Sequence, residues 1–358
     1  MSEMQALRDP TFRGKYVCDA LIWPSISLHI LKKLTGKETG DGSRHVYRPS
    51  DVRNLKLAQY EIDESESAVQ PKRPPVVNCR MAKGGTGKTT VAANLATAFS
   101  FMGYKTLMID ADPQASLTNM MGIEASSEDI THIGHLMEES VSNKGHADVS
   151  RAVRTVFPGG MLDIIPADIT LTNADGWLMN QMQRETVFER LIAANTEFFG
   201  QYDVLVVDSA PGTSLLSMNV MVASRTQLAV CWLDRENLKA LPILLGNVDE
   251  INAAFPNHAS DVEIVANGYS AIYKQSKEAL EVLVAKYPHQ LNENVIQQFS
   301  GFHRQQALPG AESKGAVVEQ DQNSPGAKAM FDLAKSLLGR YKITLAGFDE
   351  SIPSTRGN

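Results

Sequence analysis

The stretch Val76-Val77-Asn78-Cys79-Arg80-Met81-Ala82-Lys83-Gly84-Gly85-Thr86-Gly87-Lys88-Thr89-Thr90 decides how the rest of the chain is read. Val76 to Met81 is a strand candidate, the middle is rich in glycine, and Thr89 to Ser100 reads as a helix with Leu95, Ala98 and Phe99 near one face. A strand that runs through a glycine loop into a helix is suited to gripping phosphate groups. Glycine permits tight torsions and a close approach of phosphate oxygens. The free N–H groups and the positive end of the helix then hold the anion. Lys88 is placed to reach β- and γ-phosphates, and the Thr89 hydroxyl to ligate Mg²⁺. The candidate nucleotide contacts are Lys83, Gly84, Gly85, Thr86, Gly87, Lys88, Thr89 and Thr90. The common phosphate loop begins with a glycine, but Ala82 stands there, and a second lysine, Lys83, follows it.

Working outward, strand-like runs alternate with helical ones. Lys105 to Asp110, Asp203 to Asp208, Gln227 to Cys231 and Val262 to Ala266 are strand candidates, and the second of these is apolar almost throughout. Arg235 to Ile251 and Ser276 to Lys286 read as helices. The expected fold is α/β, a mostly parallel twisted sheet with helices on both faces. Acidic residues close two of the strands. Asp208 has the position of a carboxylate that binds Mg²⁺ through water. Asp112 is the candidate for orienting the attacking water, a duty that phosphoryl transfer assigns to a polar group more than to a strong base. Asp110, two residues earlier on the same side of its strand, is a candidate for the Mg²⁺ shell.

The loop Lys83 to Thr90 resembles the KGGxGK[ST]T loop of the ParA/MinD family of deviant Walker A ATPases. Asp110-Ala111-Asp112-Pro113-Gln114-Ala115-Ser116 is similar to that family's first switch segment, and Ser209-Ala210-Pro211-Gly212 to its second, with Ala210 where the family usually has proline. Val295-Ile296-Gln297-Gln298 corresponds to a segment that borders the adenine, and Ser324 to Ala329 to a closing helix start. The resemblance implies an Mg²⁺-dependent ATPase with weak basal activity. It makes Lys83, Lys88 and Asp112 the catalytic set, and Thr89, Asp110 and Asp208 the metal set. It also implies that Lys83 crosses a homodimer interface to the partner's nucleotide.

Asp112-Pro113-Gln114 favours the ParA branch. The C-terminal segment from Leu337 to Phe348, with few basic residues and two glycines, is a poor membrane helix. The resemblance therefore implies DNA partition: ATP-driven dimerisation, non-specific binding to nucleoid DNA, and release when a ParB-type centromere-binding protein stimulates hydrolysis. Candidate phosphate contacts are Lys274, Lys277, His303, Arg304, Lys314 and Lys328. Alternatives are a MinD-like or other cargo-positioning ATPase, or a nucleotide-regulated transcriptional repressor.

The 358 residues suffice for one large α/β domain and a small one. Residues 1–60 carry 10 basic and 6 acidic side chains, while the chain as a whole has a formal net charge of −7. That local excess, a helix pattern from Ser25 to Gly36, a turn at Gly40-Asp41-Gly42 and a further helix from Ser50 resemble the winged helix-turn-helix arms of larger ParA proteins. In that reading Lys32, Lys33, Arg44 and Arg53 meet DNA phosphates, and the region represses its own operon. The expected division is residues 1–60 as a DNA-binding or dimerisation region, 61–75 as a proline-containing acidic linker, 76–340 as the ATPase domain and 341–358 as a tail. Cys18, Cys79 and Cys231 are too few and too scattered for a disulfide framework or a zinc site. With neither a signal peptide pattern nor a bilayer-length apolar run, the expected location is cytoplasmic, with no membrane partner, and the ParA resemblance implies association with the nucleoid.

Overall fold

The computed structural model describes residues 6–13, 46–59, 73–126, 128–305, 313 and 315–345. Two short strands, β1 (Phe12–Arg13) and β2 (Val46–Tyr47), pair antiparallel ahead of helix α1 (Pro49–Gln59). The main sheet holds β3 (Val76–Arg80), β4 (Thr106–Ala111), β5 (Arg154–Phe157), β6 (Leu162–Ile165), β7 (Val204–Ser209), β8 (Thr226–Trp232), β9 (Asp261–Tyr269) and β10 (Ile296–Gln297). Their spatial order is β10-β9-β8-β3-β7-β4-β6-β5, and only the β5–β6 pair is antiparallel. Every residue of β3, β4 and β7 is buried, as strands covered on both faces must be.

Side-chain alternation sorts the core into two layers. Val77, Cys79, Val204 and Val206 face α2 (Lys88–Phe101). Opposite them, Leu205 and Val207 face α4 (Val187–Ala194) and α5 (Leu215–Ala223), while Ala229 and Cys231 face α6 (Arg235–Ala254). Helix α7 (Lys274–Lys286) extends this second layer, and α8 (Pro325–Arg340) packs beside α2 in the first. Each such valine or leucine contributes about 1.5–3 kcal/mol on burial. A short helix, α3 (Ser116–Met120), follows β4. The expected parallel sheet with helices on both faces is present.

The described N-terminal residues pack against the main body. Phe12, Tyr47, Val52 and Leu55 belong to the same core as α2, and Phe12 packs on Phe101 with ring centroids 4.6 Å apart. Arg53 is 3% exposed and its Nη1 donates to Asp203 at 2.5 Å and to the Gly103 carbonyl at 3.1 Å, so it is no DNA contact in this fold. Gly103 permits the approach: a Cβ there would lie 3.0 Å from the Arg53 nitrogen, and its φ is +90°. Lys56 sits 4.4 Å over the Tyr104 ring. Arg8 is bonded to Glu319 at 2.7 Å and to the Met121 carbonyl at 2.5 Å. Residues 6–13 and 46–59 are thus built into the main body. The end of the expected linker is also tied down, with Arg73 paired to Glu189 and donating to the Ala223 carbonyl at 2.7 Å. The helix expected at 25–36, Lys32, Lys33, Arg44, residues 61–72, Lys314, Cys18 and the tail beyond 345 lie outside the described residues.

Candidate active site

The loop from Lys83 to Gly87 leaves the C-terminal end of the central strand β3 and opens α2. Gly87 caps the helix with φ +88°, and a Cβ there would meet the Asn267 Nδ2 at 2.6 Å. That nitrogen donates to the Thr86 carbonyl at 2.8 Å, so β9 holds the roof of the loop. Lys88 is buried, and its ammonium turns back to the Lys83 carbonyl at 3.4 Å. Lys83 itself is exposed, as is Gly84. The segment Val295 to Gln298 lies beside this roof, because β10 pairs Ile296 with Asn267.

Strand register brings the acidic candidates to the same rim. Asp110 of β4 is the cross-strand partner of Asp208 of β7, and Asp208 also stands opposite Cys79 of β3. Asp208 is fully buried; the Thr89 hydroxyl is close enough to act on its carboxylate, but neither oxygen has a well-formed hydrogen bond among the described residues. Burial first, and then the Asp110 charge, push its carboxyl well above the usual range, while the Thr89 hydroxyl and Lys88 pull it down. Burial likewise lowers the Lys88 ammonium, and Asp208 and then Asp112 oppose that. An orphaned buried carboxylate beside a threonine hydroxyl suits a hard divalent cation that keeps several of its waters. The residues present therefore fit Mg²⁺, with Asp208 and Thr89 as the available donors.

Asp110, expected in the metal set, is engaged by three donors in this structure. Its oxygens accept from the Asp112 nitrogen at 3.1 Å, the Thr118 nitrogen at 2.9 Å and the Thr118 hydroxyl at 2.7 Å. Burial raises its carboxyl to about 6, and these donors work against the rise. Asp110 therefore anchors the turn that carries Asp112. Asp112 is half-buried and accepts from the Gln114 nitrogen at 2.9 Å. In the second switch segment Ser209 donates to Asn78, and the Gly212 carbonyl accepts from the Arg80 guanidinium at 2.6 Å.

Two residues of this rim escaped the sequence reading. Arg80 looked like one more strand residue, and Asn267 lies 181 positions from the carbonyl it holds. The basic candidates divide. His303, Arg304 and Lys328 are exposed near the start of α8, where Phe299 and Phe302 crowd Gly326. Lys274 and Lys277 are exposed on α7, in the other helical layer. The structure thus does not gather all five into one surface.

A family model described as an AAA domain matches residues 75–262. The chromosome partitioning protein ParA of Caulobacter vibrioides is 28% identical over 264 residues, covering 73% of this chain and 92% of that protein. The chain belongs to the ParA family of partition ATPases. The cell division protein PomZ of Myxococcus xanthus is 29% identical over 340 residues, 94% of this ParA-family chain and 96% of PomZ. A match of that extent takes in part of the N-terminal segment. Among solved structures, cobyrinic acid a,c-diamide synthase from Mycobacterium smegmatis, with bound ATP analog and magnesium, has a TM-score of 0.60 at 20% identity. It covers 75% of this chain and 96% of its own, a likeness of fold.

Proposed function

We propose that this chain is a positioning ATPase that binds ATP with Mg²⁺ in the Lys83–Thr90 loop, pairs with a second copy and binds DNA in that state. One observation carries the reading: a fully buried carboxylate, Asp208, stands beside Lys88 and Thr89 of a phosphate loop, and neither of its oxygens has a well-formed hydrogen bond among the described residues. Bound Mg²⁺ would neutralise charge on the phosphates. Thr89 and Asp208 would hold it, with Asp208 acting through water. Gly84 to Thr90 would cradle the phosphates through backbone N–H groups, and Lys88 would contact the terminal ones. Asp112, held at the rim by Asp110, would orient the attacking water. Lys83 is exposed, free of the core, and suited to reaching a neighbour's nucleotide. A cation supplied in this way is worth about 10³–10⁵ in rate elsewhere.

His303, Arg304 and Lys328 are the exposed cluster on which we place non-specific DNA binding. A ParB-type partner would stimulate hydrolysis and release, giving a nucleoid-associated cytoplasmic protein. The N-terminal region would add operator binding through residues outside the described ones. No helix among the described residues is long and apolar enough to cross a membrane. A second reading, positioning of the cell-division apparatus, is favoured by the match to PomZ along nearly the whole chain. ATP hydrolysis measured with and without DNA, and with the product of the adjacent open reading frame, tests the proposal. Stimulation by both together supports partition. Absence of nucleotide turnover under every condition would refute the ATPase reading.

A further inference from the structure

Arg80 ends β3, three residues before Lys83, and is 1% exposed. Val77 and Cys79 face α2, so alternation turns Arg80 to the opposite layer, beneath the turn that follows β7. There its Nη2 donates to the Gly212 carbonyl at 2.6 Å. Its Nε and Nη1 are buried too, and neither has a hydrogen-bond partner among the described residues. Burial alone draws the guanidinium down to about 10, with no carboxylate acting against it. Arg53 offers the contrast: it is almost as buried, but Asp203 pairs with it at 2.5 Å.

A buried cation without a counter-ion is costly, and such groups persist where an anion is to be met. The anion's place is indicated by the neighbour. Arg80 is the last residue of β3, the strand from whose end the phosphate loop leaves, and adjacent Cys79 stands opposite Asp208, so the guanidinium lies at the rim of that loop. Its one partner among the described residues, Gly212, has φ +98° and lies two residues before Ser214, which caps α5 by accepting from the Ser217 nitrogen at 3.1 Å.

We propose that Arg80 reads the terminal phosphate: a triphosphate in the loop is its counter-ion, and the Gly212 carbonyl passes the change to the turn after Asp208. This rests on the assignment of Lys83–Thr90 as the nucleotide site. The effect would belong to the triphosphate because the loop amides, with Lys88 at the β-phosphate, would suffice to hold a diphosphate.

The test is equilibrium titration of the full chain with Mg²⁺ and either ADP or a non-hydrolysable ATP analogue, for wild type, Arg80→Gln and Arg80→Lys. Arg80→Gln is expected to keep ADP affinity within about twofold and to lose about tenfold for the analogue, the size of one charge-assisted hydrogen bond. Arg80→Lys retains charge and stem, and should lose about threefold for the analogue alone. Hydrogen exchange over residues 210–214 should also stop distinguishing the two nucleotides in Arg80→Gln. Equal losses for both nucleotides would assign Arg80 a purely structural role and overturn the proposal. So would an unchanged ratio of affinities in Arg80→Lys, which decides the matter if Arg80→Gln does not fold. Wild type that binds neither nucleotide would sink the loop assignment, and this proposal with it.

Discussion

Replacing Thr118 by valine removes one oxygen from the rim and nothing from the volume of the core. Thr118 is fully buried in α3. Its hydroxyl donates to Asp110 at 2.7 Å and accepts from the Ala167 nitrogen at 2.8 Å. The variant loses a hydrogen bond to a charged group, about 1.5–3 kcal/mol, and leaves a buried N–H without an acceptor, about 1–3 kcal/mol. Together these predict a loss of about 2.5–6 kcal/mol in unfolding free energy. Urea denaturation at pH 8, where Asp110 is ionised, reads it directly. Thr118→Ser keeps the oxygen and should recover most of the loss. Because Asp110 also holds the Asp112 nitrogen, turnover in Thr118→Val should fall by more than nucleotide affinity does. A Thr118→Val protein within about 0.5 kcal/mol of wild type would refute the reasoning, since surface-like tolerance has no place at a site with two buried hydrogen bonds.

Arg53→Met should cost about 3–5 kcal/mol, because it takes the paired cation from the buried Asp203 carboxylate, which the Lys105 nitrogen still reaches at 2.7 Å, and Asp203→Asn added to it should restore part of the stability. Wild-type denaturation behaviour in Arg53→Met would contradict the docking of α1. The His132 imidazole, buried and stacked on His135 at 3.7 Å, is held down at about 4 against an ordinary 6.5. Its neutral ring accepts from the His135 nitrogen and caps the helix Ile133–Ser142. The unfolded chain takes up that proton first, so the stabilisation is complete above about pH 6.5 and is lost as pH falls towards 4, about 3 kcal/mol in all. His132→Gln should flatten that acid limb in denaturation curves, and parallel limbs would contradict it. Lys88→Ala should abolish ATP binding, whereas Asp112→Ala should bind ATP and accumulate as dimer, by titration and light scattering respectively. A monomeric Asp112→Ala with ATP would count against the ordering of steps.

The central strands were legible because a strand buried on both faces must be apolar throughout, as Val204 to Val207 is. The loop was legible because glycine and lysine at fixed spacing have few other uses. Strands β5 and β6 gave no such signal, since Arg154-Thr155-Val156-Phe157 and Leu162-Asp163-Ile164-Ile165 are short and partly polar. Two basic residues of the N-terminal region are buried, for an instructive reason. Arg53 and Lys56 added to a basic count that suggested a surface, whereas Asp203, 150 positions away, and Tyr104 receive them inside. A charge pattern reports sign and not partners. Asp110 was placed at the correct rim, but sequence could not reveal that Thr118 and Asp112 take its oxygens.

The account depends most on a nucleotide site completed by a second copy, and mixing two crippled proteins tests that directly. Lys83→Ala and Asp112→Ala should each be inactive alone. In a mixed dimer, the site on the Lys83→Ala subunit keeps its own Asp112 and receives Lys83 from the other subunit. Equal mixing should therefore restore ATP turnover to about a quarter of wild type, the share of sites that statistics leave intact. A mixture as inactive as its components, or a Lys83→Ala protein that turns over ATP unaided, would contradict the account.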